Sequence, residues 1–405
     1  MKTLLVIKSG YPLPLRMPAY REFFRLGWKI VVVDKVQNQS LRFADEVIIH
    51  DLDNLEELHK IILCRVGKPD GILTFNDSAL VQTAILAELL ELPFLNKDIA
   101  KIATNKLLQK KCFDMYNIPT AKWMEISSPN EAIEPLKEWH YMVLKPVDRS
   151  ASAGVSKIGN AKEISKAFQI AVNESTIGKV IIEEYIEGPE ISVETIFIRG
   201  EHKVISITDK ITTEGNTFVE IGHSTPSRHS KEIIEKVKEL TINACTALDL
   251  NYGAAHTEIK LSNRGPIIIE VNPRLAGDCI VDLIDLSLGI NLYKFYGKTA
   301  LDESISLDEI TPKYQQGAAI RFQPSKKNGV LIDVKSSVAE YPAWLKEISV
   351  FQALNVPMPD IDSNAGRIAY AITTGKNGQE ALENAENALS SISFTFKEEA
   401  KCVEL

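Results

Sequence analysis

The stretch His256-Thr257-Glu258-Ile259-Lys260-Leu261, Ser262-Asn263-Arg264-Gly265, Pro266-Ile267-Ile268-Ile269-Glu270-Val271-Asn272-Pro273-Arg274-Leu275-Ala276-Gly277-Asp278 decides how the chain reads. Apolar and polar residues alternate on both sides of Ser262 to Gly265, the pattern of a β-hairpin. A three-residue loop, Asn263 to Gly265 with Gly265 left-handed, sets Ser262 opposite Pro266 and Glu258 opposite Glu270. In that register Ile259, Leu261, Ile267, Ile269 and Val271 point into a core, while Glu258, Glu270 and Asn272 share the other face. Opposed carboxylates repel each other, and nothing in the local pattern relieves this except a cation between them. Oxygen donors from Glu258, Glu270 and the Asn272 amide suit magnesium, which commonly shares its coordination sphere with substrate phosphates. Arg274 stands just beyond the strand, where a phosphate or carboxylate would be gripped. The rival is an ordinary solvated face with two glutamates; the register, Asn272 and Arg274 together weigh against it.

The remaining sequence sets limits. In 405 residues, hydrophobic types make up 45% and charged types 25%, the composition of a soluble globular chain. That length accommodates about two to four domains. A net charge of -8 argues against a general binder of nucleic acid or anionic membranes, which needs basic patches. Cys64, Cys112, Cys245, Cys279 and Cys402 have no paired spacing, which fits reduced thiols rather than a disulfide framework or a zinc site. Leu4-Leu5-Val6-Ile7 is too short for a signal peptide or membrane span, so a cytoplasmic chain is expected.

Residues 1–95 alternate strands (Leu4 to Lys8, Ile30 to Asp34, Glu46 to His50, Gly71 to Phe75) with helical stretches, as in a parallel α/β domain. The first turn, Ser9-Gly10-Tyr11-Pro12-Leu13-Pro14, lacks a Gly-x-Gly-x-x-Gly, and its prolines remove amides a dinucleotide would need. Asn76-Asp77-Ser78 follows the fourth strand at its carboxyl end, where open sheets place ligands, although Asp77 or Ser78 also fits a helix N-cap. Residues 96–122 read as a helical linker, with one helix from Asn96 to Asn117 ended by Ile118-Pro119. Lys106 and Lys110 fall near one face of it, where a lysine is normally solvated.

In residues 123–188, the strand Tyr141 to Pro146 has its apolar run broken by Lys145, which is costly to bury unless an anion meets it. The small residues between Val147 and Ser156 either bring amides and hydroxyls toward phosphate oxygens or form a flexible surface loop. Lys179 to Glu187 reads as a strand entering the Gly188-Pro189 turn. The strand after it sets Glu190, Ser192 and Glu194 against Ile191, Val193 and Phe197. In residues 189–300, a loop at Glu214-Gly215-Asn216 precedes Phe218 to His223. His223 is either a substrate or catalytic contact or a hydrogen-bonded structural histidine. Helices from Ser230 to Leu248 and from Gly277 to Leu288 flank the hairpin. In residues 301–405, Gly317 to Phe322 reads as a strand and Gly378 to Ser391 as a surface helix, a part that completes the large domain as a cap or makes a dimer contact.

Taken in this order, the motifs resemble the ATP-grasp superfamily over about residues 1–325. The resemblance implies a mixed α/β and α+β chain with the ATP-grasp fold: an N-terminal Rossmann-like pre-ATP-grasp domain, two ATP-clamping subdomains and a C-terminal cap. It implies ATP and Mg2+, two ions, with Mn2+ as a substitute. Carried over residue by residue, Lys106 meets the phosphates, and Lys145 meets phosphate and the adenine edge. Ser150, Ser152 and Gly154 belong to the lid. Glu183, Glu184 and Ile186 form the hinge strand at the adenine amino group, partly through backbone, and Glu190 binds ribose hydroxyls. Glu258, Glu270 and Asn272 are implied as metal ligands, and Arg274 as the group that stabilises the transferring phosphoryl group.

Within the superfamily, His256 to Lys260, Glu270 to Asp278 and Phe218 to His223 resemble segments of bacterial L-amino-acid ligases and carnosine synthase-like enzymes. This implies His223 and Asp278 as substrate contacts, with Asp278 either meeting an ammonium group or capping the following helix. The implied reaction joins a carboxylate to an amine on small amino-acid-like substrates through an acyl phosphate, releasing ADP and phosphate. Cations must hold the polyanionic nucleotide and screen the approach of a second anion, and a lid from Asp148 to Ser156 must exclude water. The rivals are a bicarbonate-using carboxylase or purine-type ligase, and a non-catalytic ATP-binding regulator. Expected partners are small molecules and, at most, a second copy of the chain in a homodimer.

Overall fold

The structure, a computed structural model, describes residues 1–397 apart from 11–14, 151, 199, 214–218, 326–328, 337–340 and 359–363. The expected proline turn after Gly10, the Glu214-Gly215-Asn216 loop and Phe218 therefore lie wholly or largely outside the described residues, as does Ala151 of the lid.

Strands β1 (Thr3–Ile7), β2 (Lys29–Asp34), β3 (Glu46–Ile49) and β4 (Gly71–Thr74) form a parallel sheet in the order β3-β2-β1-β4. Each lies within a residue or so of its sequence expectation. Helix α1 (Met17–Arg25) joins β1 to β2, α2 (Leu55–Arg65) joins β3 to β4, and α3 (Leu80–Leu90) follows β4. Both faces of this sheet are covered, as crossover connections require: Leu4 and Val6 pack with Phe23 and Tyr296, while Leu5 and Ile7 pack with Leu58 and Ile62. The single helix expected from Asn96 to Asn117 is two, α4 (Lys97–Ala103) and α5 (Lys106–Met115). Asn105 is extended and its side chain accepts from Leu108 N, so a new N-cap interrupts the run.

An antiparallel sheet follows, built from β5 (Trp123–Ile126), β6 (Met142–Pro146), β7 (Ser156–Ile158) and β8 (Val180–Glu184) in the order β5-β8-β6-β7. Helices α6 (Ile133–Trp139) and α7 (Ala161–Glu174) cover one face through Leu136, Ile164 and Ala171. The largest sheet has eight strands. It contains β9 (Glu190–Ile198), β10 (Glu201–Thr212), β11 (Glu220–Thr225), β12 (Ala254–Ser262), β13 (Gly265–Asn272) and β14 (Gly317–Pro324). After β15 (Val330–Ser336), strands β16 (Leu345–Val350) and β17 (Arg367–Gly375) complete it in the order β13-β12-β9-β10-β11-β14-β17-β16. Helices α8 (Lys231–Ala247), α9 (Ile280–Leu288), α10 (Leu292–Ala300) and α11 (Gly378–Ser390) pack around it, and β15 pairs separately with β18 (Ile392–Lys397). The helix read at the surface, α11, in fact buries Ala381, Leu382, Ala385, Ala388 and Leu389, because β14 and β17 lie beneath it.

The deciding hairpin reaches the expected pairing by a different route. Its turn is two residues, Asn263-Arg264, so Ser262 faces Gly265 and Leu261 faces Pro266. A bulge beyond Ile259–Ile268 then absorbs Ile269 and restores Glu258 opposite Glu270. The core is filled by Ile259, Ile268 and Val271, whereas Ile267 and Ile269 pack with Ile186 and Ala121. The shorter turn exchanges which isoleucine is inside, since a slip of one residue reverses the faces of a strand. Gly188 lets the β8–β9 turn cross this hairpin: its φ is +132°, and a Cβ there would stand 2.1 Å from Leu261 O.

Candidate active site

A cavity of about 410 Å³ opens where the three larger sheets meet. Of the residues singled out in the sequence, Lys106, Lys145, Ser150, Ser152, Glu183, Glu184, Ile186, Glu190, His223, Glu258, Glu270, Arg274 and Asp278 line it. Gly154 and Asn272 stand behind this lining. Gly154 has a φ of +72° and a Cβ would meet Glu174 at 3.0 Å, while the Asn272 Nδ2 donates to Glu270 Oε1 at 2.9 Å.

Lys106 opens α5, and that helix is pinned to the hairpin by the buried Gln109 amide, which donates to Val271 O and accepts from Val271 N, each at 3.0 Å. Lys106 Nζ consequently reaches Glu270 Oε2 at 3.0 Å and donates to Arg149 O at the start of the small-residue loop at 2.6 Å. Burial alone would lower the Lys106 pKa, but Glu270 outweighs it and the ammonium is held above its usual range. Four residues on, Lys110 is buried rather than solvated: its Nζ lies 3.3 Å from Glu183 Oε2. Lys145 meets the anion that its burial demands, Glu183 Oε1 at 2.9 Å. Two ammonium groups thus share one carboxylate. Burial, with Lys145 as a like-charged neighbour, pushes Lys110 down to about 8, although Glu183 opposes it.

Glu184 turns the other way, accepting from Lys122 N at 3.0 Å and from Arg264 Nη2 at 2.7 Å at the tip of the hairpin. Arg274 is fixed by Asp77, whose two oxygens accept from Nε at 2.6 Å and Nη2 at 2.8 Å. Asp77 is therefore no helix cap: Asn76 precedes the short 3-10 turn, and Asp77 is a bidentate holder of Arg274. Ser78 accepts from Lys8 Nζ at 3.0 Å.

The opposed glutamates are relieved by separate side-chain cations, contrary to the expectation that nothing local would do so. Lys210 Nζ lies 2.6 Å from Glu190, 2.7 Å from Glu220 and 2.9 Å from Glu258, while Glu270 has Lys106. His256 adds to this, with Nδ1 2.7 Å from Glu194 Oε1 and Nε2 3.4 Å from Glu258 Oε1. Burial pushes the Glu258 carboxyl up, yet Lys210 and His256 hold it well below the carboxylate range. Desolvation, with Asp278 as a like-charged neighbour, raises the half-buried Glu220, although Lys210 opposes it. Asp278 is gripped by Arg367 through two bonds, 2.7 and 2.9 Å, and that guanidinium lies 4.0 Å over the Phe322 ring. Neither cap nor free acid, Asp278 sits 3.6 Å from His223 Nε2; both ring nitrogens of that buried histidine lack a hydrogen-bond partner among the described residues.

The donor chemistry fits a hard divalent cation. Glu258 and Glu270 present charged oxygens to the same cleft, and a flip of the Asn272 amide places Oδ1 where Nδ2 now meets Glu270. Oxygens of Glu190, Glu220 and Glu258 also lie within 4.8 Å of one another around Lys210. Sequence reasoning missed Lys210, Lys110 and Arg367. The signal for Lys210 was close to the one used for Lys145, a lysine set among Ile and Thr near the end of a strand. Arg367 carries no local signal, because its partner lies in a segment remote in sequence.

Fold and cleft together define the class: the fold is the ATP-grasp fold, and residues 140–282 match the model of the ATP-grasp domain. Within it, the chain resembles amino-acid ligases. It is 24% identical to dapdiamide A synthase of Enterobacter agglomerans over 61% of this chain and 59% of that protein. It is 27% identical to alanine–anticapsin ligase of Bacillus subtilis (strain 168) over 64% of this chain and 61% of that one. The chain thus spans less than two thirds of the length of these two curated relatives. The crystal structure of an L-amino acid ligase from Bacillus licheniformis superposes with a TM-score of 0.83 at 21% identity, covering 98% of this chain and 99% of that one. Among the described residues no helix is long and apolar enough to cross a membrane.

Proposed function

We propose that the protein is an ATP-dependent carboxylate–amine ligase acting on small amino-acid-like substrates. The observation that carries this reading is the convergence of Lys106, Lys145 and Arg274 on the cleft into which Glu258 and Glu270 project. A cleft in which cations stand beside paired carboxylates suits a nucleoside triphosphate and its counter-ions. Bound at Glu258, Glu270 and Asn272, Mg2+ supplies charge neutralisation for two anions brought together. Lys106 and Lys145 bind phosphate oxygens, and Glu190 and the hinge at Glu183, Glu184 and Ile186 orient the nucleoside. A substrate carboxylate oxygen attacks the γ-phosphorus and ADP leaves. The amine nitrogen then attacks the acyl carbon, phosphate leaves, and the ammonium proton is lost. Arg274, held rigidly by Asp77, stabilises charge on the transferring group, and His223 and Asp278 face the substrate. The segment from Asp148 to Ser156 closes over the phosphates and excludes water.

The test is ADP release from ATP and Mg2+ with pairs of L-amino acids. ADP and phosphate formation that requires both an acid and an amine is expected. Turnover supported by bicarbonate, or ATP binding with no turnover on any pair, overturns the reading.

A further inference from the structure

Beyond Arg274 the cleft extends to the carboxyl end of β4, where Arg16, Phe75 and Asn76 line it. Arg16 is the N-cap residue of α1 and is half-buried. Its stem lies against Gly10, whose φ is +74° and where a Cβ would stand 2.9 Å from Arg16 Cγ, so the missing side chain makes room for it. Its guanidinium lies 5.0 Å over the Phe75 ring. Among the described residues no carboxylate lies within ion-pair distance of Arg16. Two acids of this region are committed elsewhere: Asp34, which holds Ser9 next to Gly10, and Asp282, on which the charge of Arg16 acts. Asp34 accepts from Ser9 Oγ at 2.6 Å and Asn38 Nδ2 at 3.0 Å, and Asp282 accepts from the Tyr293 hydroxyl at 3.1 Å. Burial also pushes Asp282 up to about 7, which makes it a weak counter-ion. Asn76 lines the same cleft, and its Nδ2 is buried with no hydrogen-bond partner among the described residues. The contrast with Arg274, whose fork is filled by Asp77, is direct. A planar five-donor cation left open in a cleft is matched by a carboxylate.

We infer that Arg16, with the Asn76 amide, receives a substrate carboxylate that takes no part in the reaction. Its source is either the α-carboxylate of the amine-donating amino acid or a second carboxylate on the acid donor. This rests on the ligase reading above for what the substrates are, but its test does not require turnover.

Binding is measured by thermal shift and titration calorimetry on the full chain with Mg2+ and a non-hydrolysable ATP analogue. The probes are the L-amino acids, their α-amides, and dicarboxylates from malonate to glutarate; the proteins are wild type, Arg16→Gln and Arg16→Lys. Carboxylate probes should bind the wild type about ten- to a hundredfold more tightly than Arg16→Gln, with Arg16→Lys between them, as expected for a charge-assisted hydrogen bond. The α-amides should not distinguish the proteins, and nucleotide affinity should be the same in all three. An Arg16 dependence confined to amino acids assigns the carboxylate to the amine donor, and one confined to dicarboxylates assigns it to the acid donor. Equal affinity of wild type and Arg16→Gln for every acid, or no acid bound by either, overturns the inference. Failure of the ligase reading is seen separately, as absent ADP release.

Discussion

The cleft holds two buried charge clusters of opposite imbalance. Around Glu183, Lys110 and Lys145 place two cations on one anion. Around Lys210, Glu190, Glu220 and Glu258 place three carboxylates on one shared ammonium, with Lys260 at 3.2 Å from Glu190 and His256 at 3.4 Å from Glu258 on the edge of the cluster. Their titration mirrors this: the surplus lysine Lys110 is pushed down, while Lys210 is held well above its usual range despite its burial. Burying an unbalanced charge is costly, so each cluster lacks what the other has in excess. One end is short of an anion and the other of a cation, which is how a magnesium-bound polyphosphate is shaped.

The strongest way to break this comparison is Lys210→Met, which takes from three carboxylates the ammonium they share and leaves Glu220 without an ion pair among the described residues. Stability should fall by about 3–5 kcal/mol, read as the urea midpoint, and millimolar Mg2+ should restore part of it. An unchanged midpoint would mean that the acidic cluster is not strained. Next is Glu270→Gln, which removes the partner of Lys106 and one charge from the pair facing Glu258. Its turnover, followed as ADP release, should drop about 10²–10³-fold, a loss typical of removing a charge-stabilising group.

A smaller effect sharpens the cationic side. The Lys110 pKa is lowered to about 8 from 10.5, so below pH 8 the fold carries the full cost of that ammonium. Between those values the unfolded chain binds the extra proton, and stability should climb with pH by at most about 1.4 kcal/mol per unit. Unfolding of Lys110→Met between pH 7.5 and 10 should show that climb flattened. Least of all, Arg264→Ala removes an ion pair to Glu184 whose arginine side chain is 50% exposed, outside both clusters. A loss below about 1 kcal/mol in thermal unfolding is expected; a larger one would mean that balanced surface pairs matter as much as the unbalanced ones.

How far the sequence foretold these clusters depended on where each partner lies in the chain. Glu258 opposite Glu270 was legible because hairpin pairing is local, even though the turn length was misjudged. Lys145 was legible as a buried cation and its need for an anion was stated, but nothing near it named Glu183, which comes from the neighbouring strand β8. Lys110 was read as solvated because helix periodicity cannot say which helix face a later sheet will cover. The C-terminal third was the least legible: Arg367 reaches Asp278 across 89 residues of sequence, and the alternation of β17 is hidden because that strand is buried on both faces. The ATP-grasp fold itself was readable from motif order, which survives loss of detail within any one element.

The bulge at Ile269 frees one strand from having to choose. Without the extra residue, β13 would send alternate side chains strictly inward and outward, and an apolar surface on the cleft side would cost the sheet its acidic pair. With it, Ile269 and Glu270 both project into the cavity while Ile268 and Val271 stay packed beneath α8. Greasy floor and ionic rim become separately tunable, and trimming that single isoleucine would strip the floor yet leave the two acids face to face.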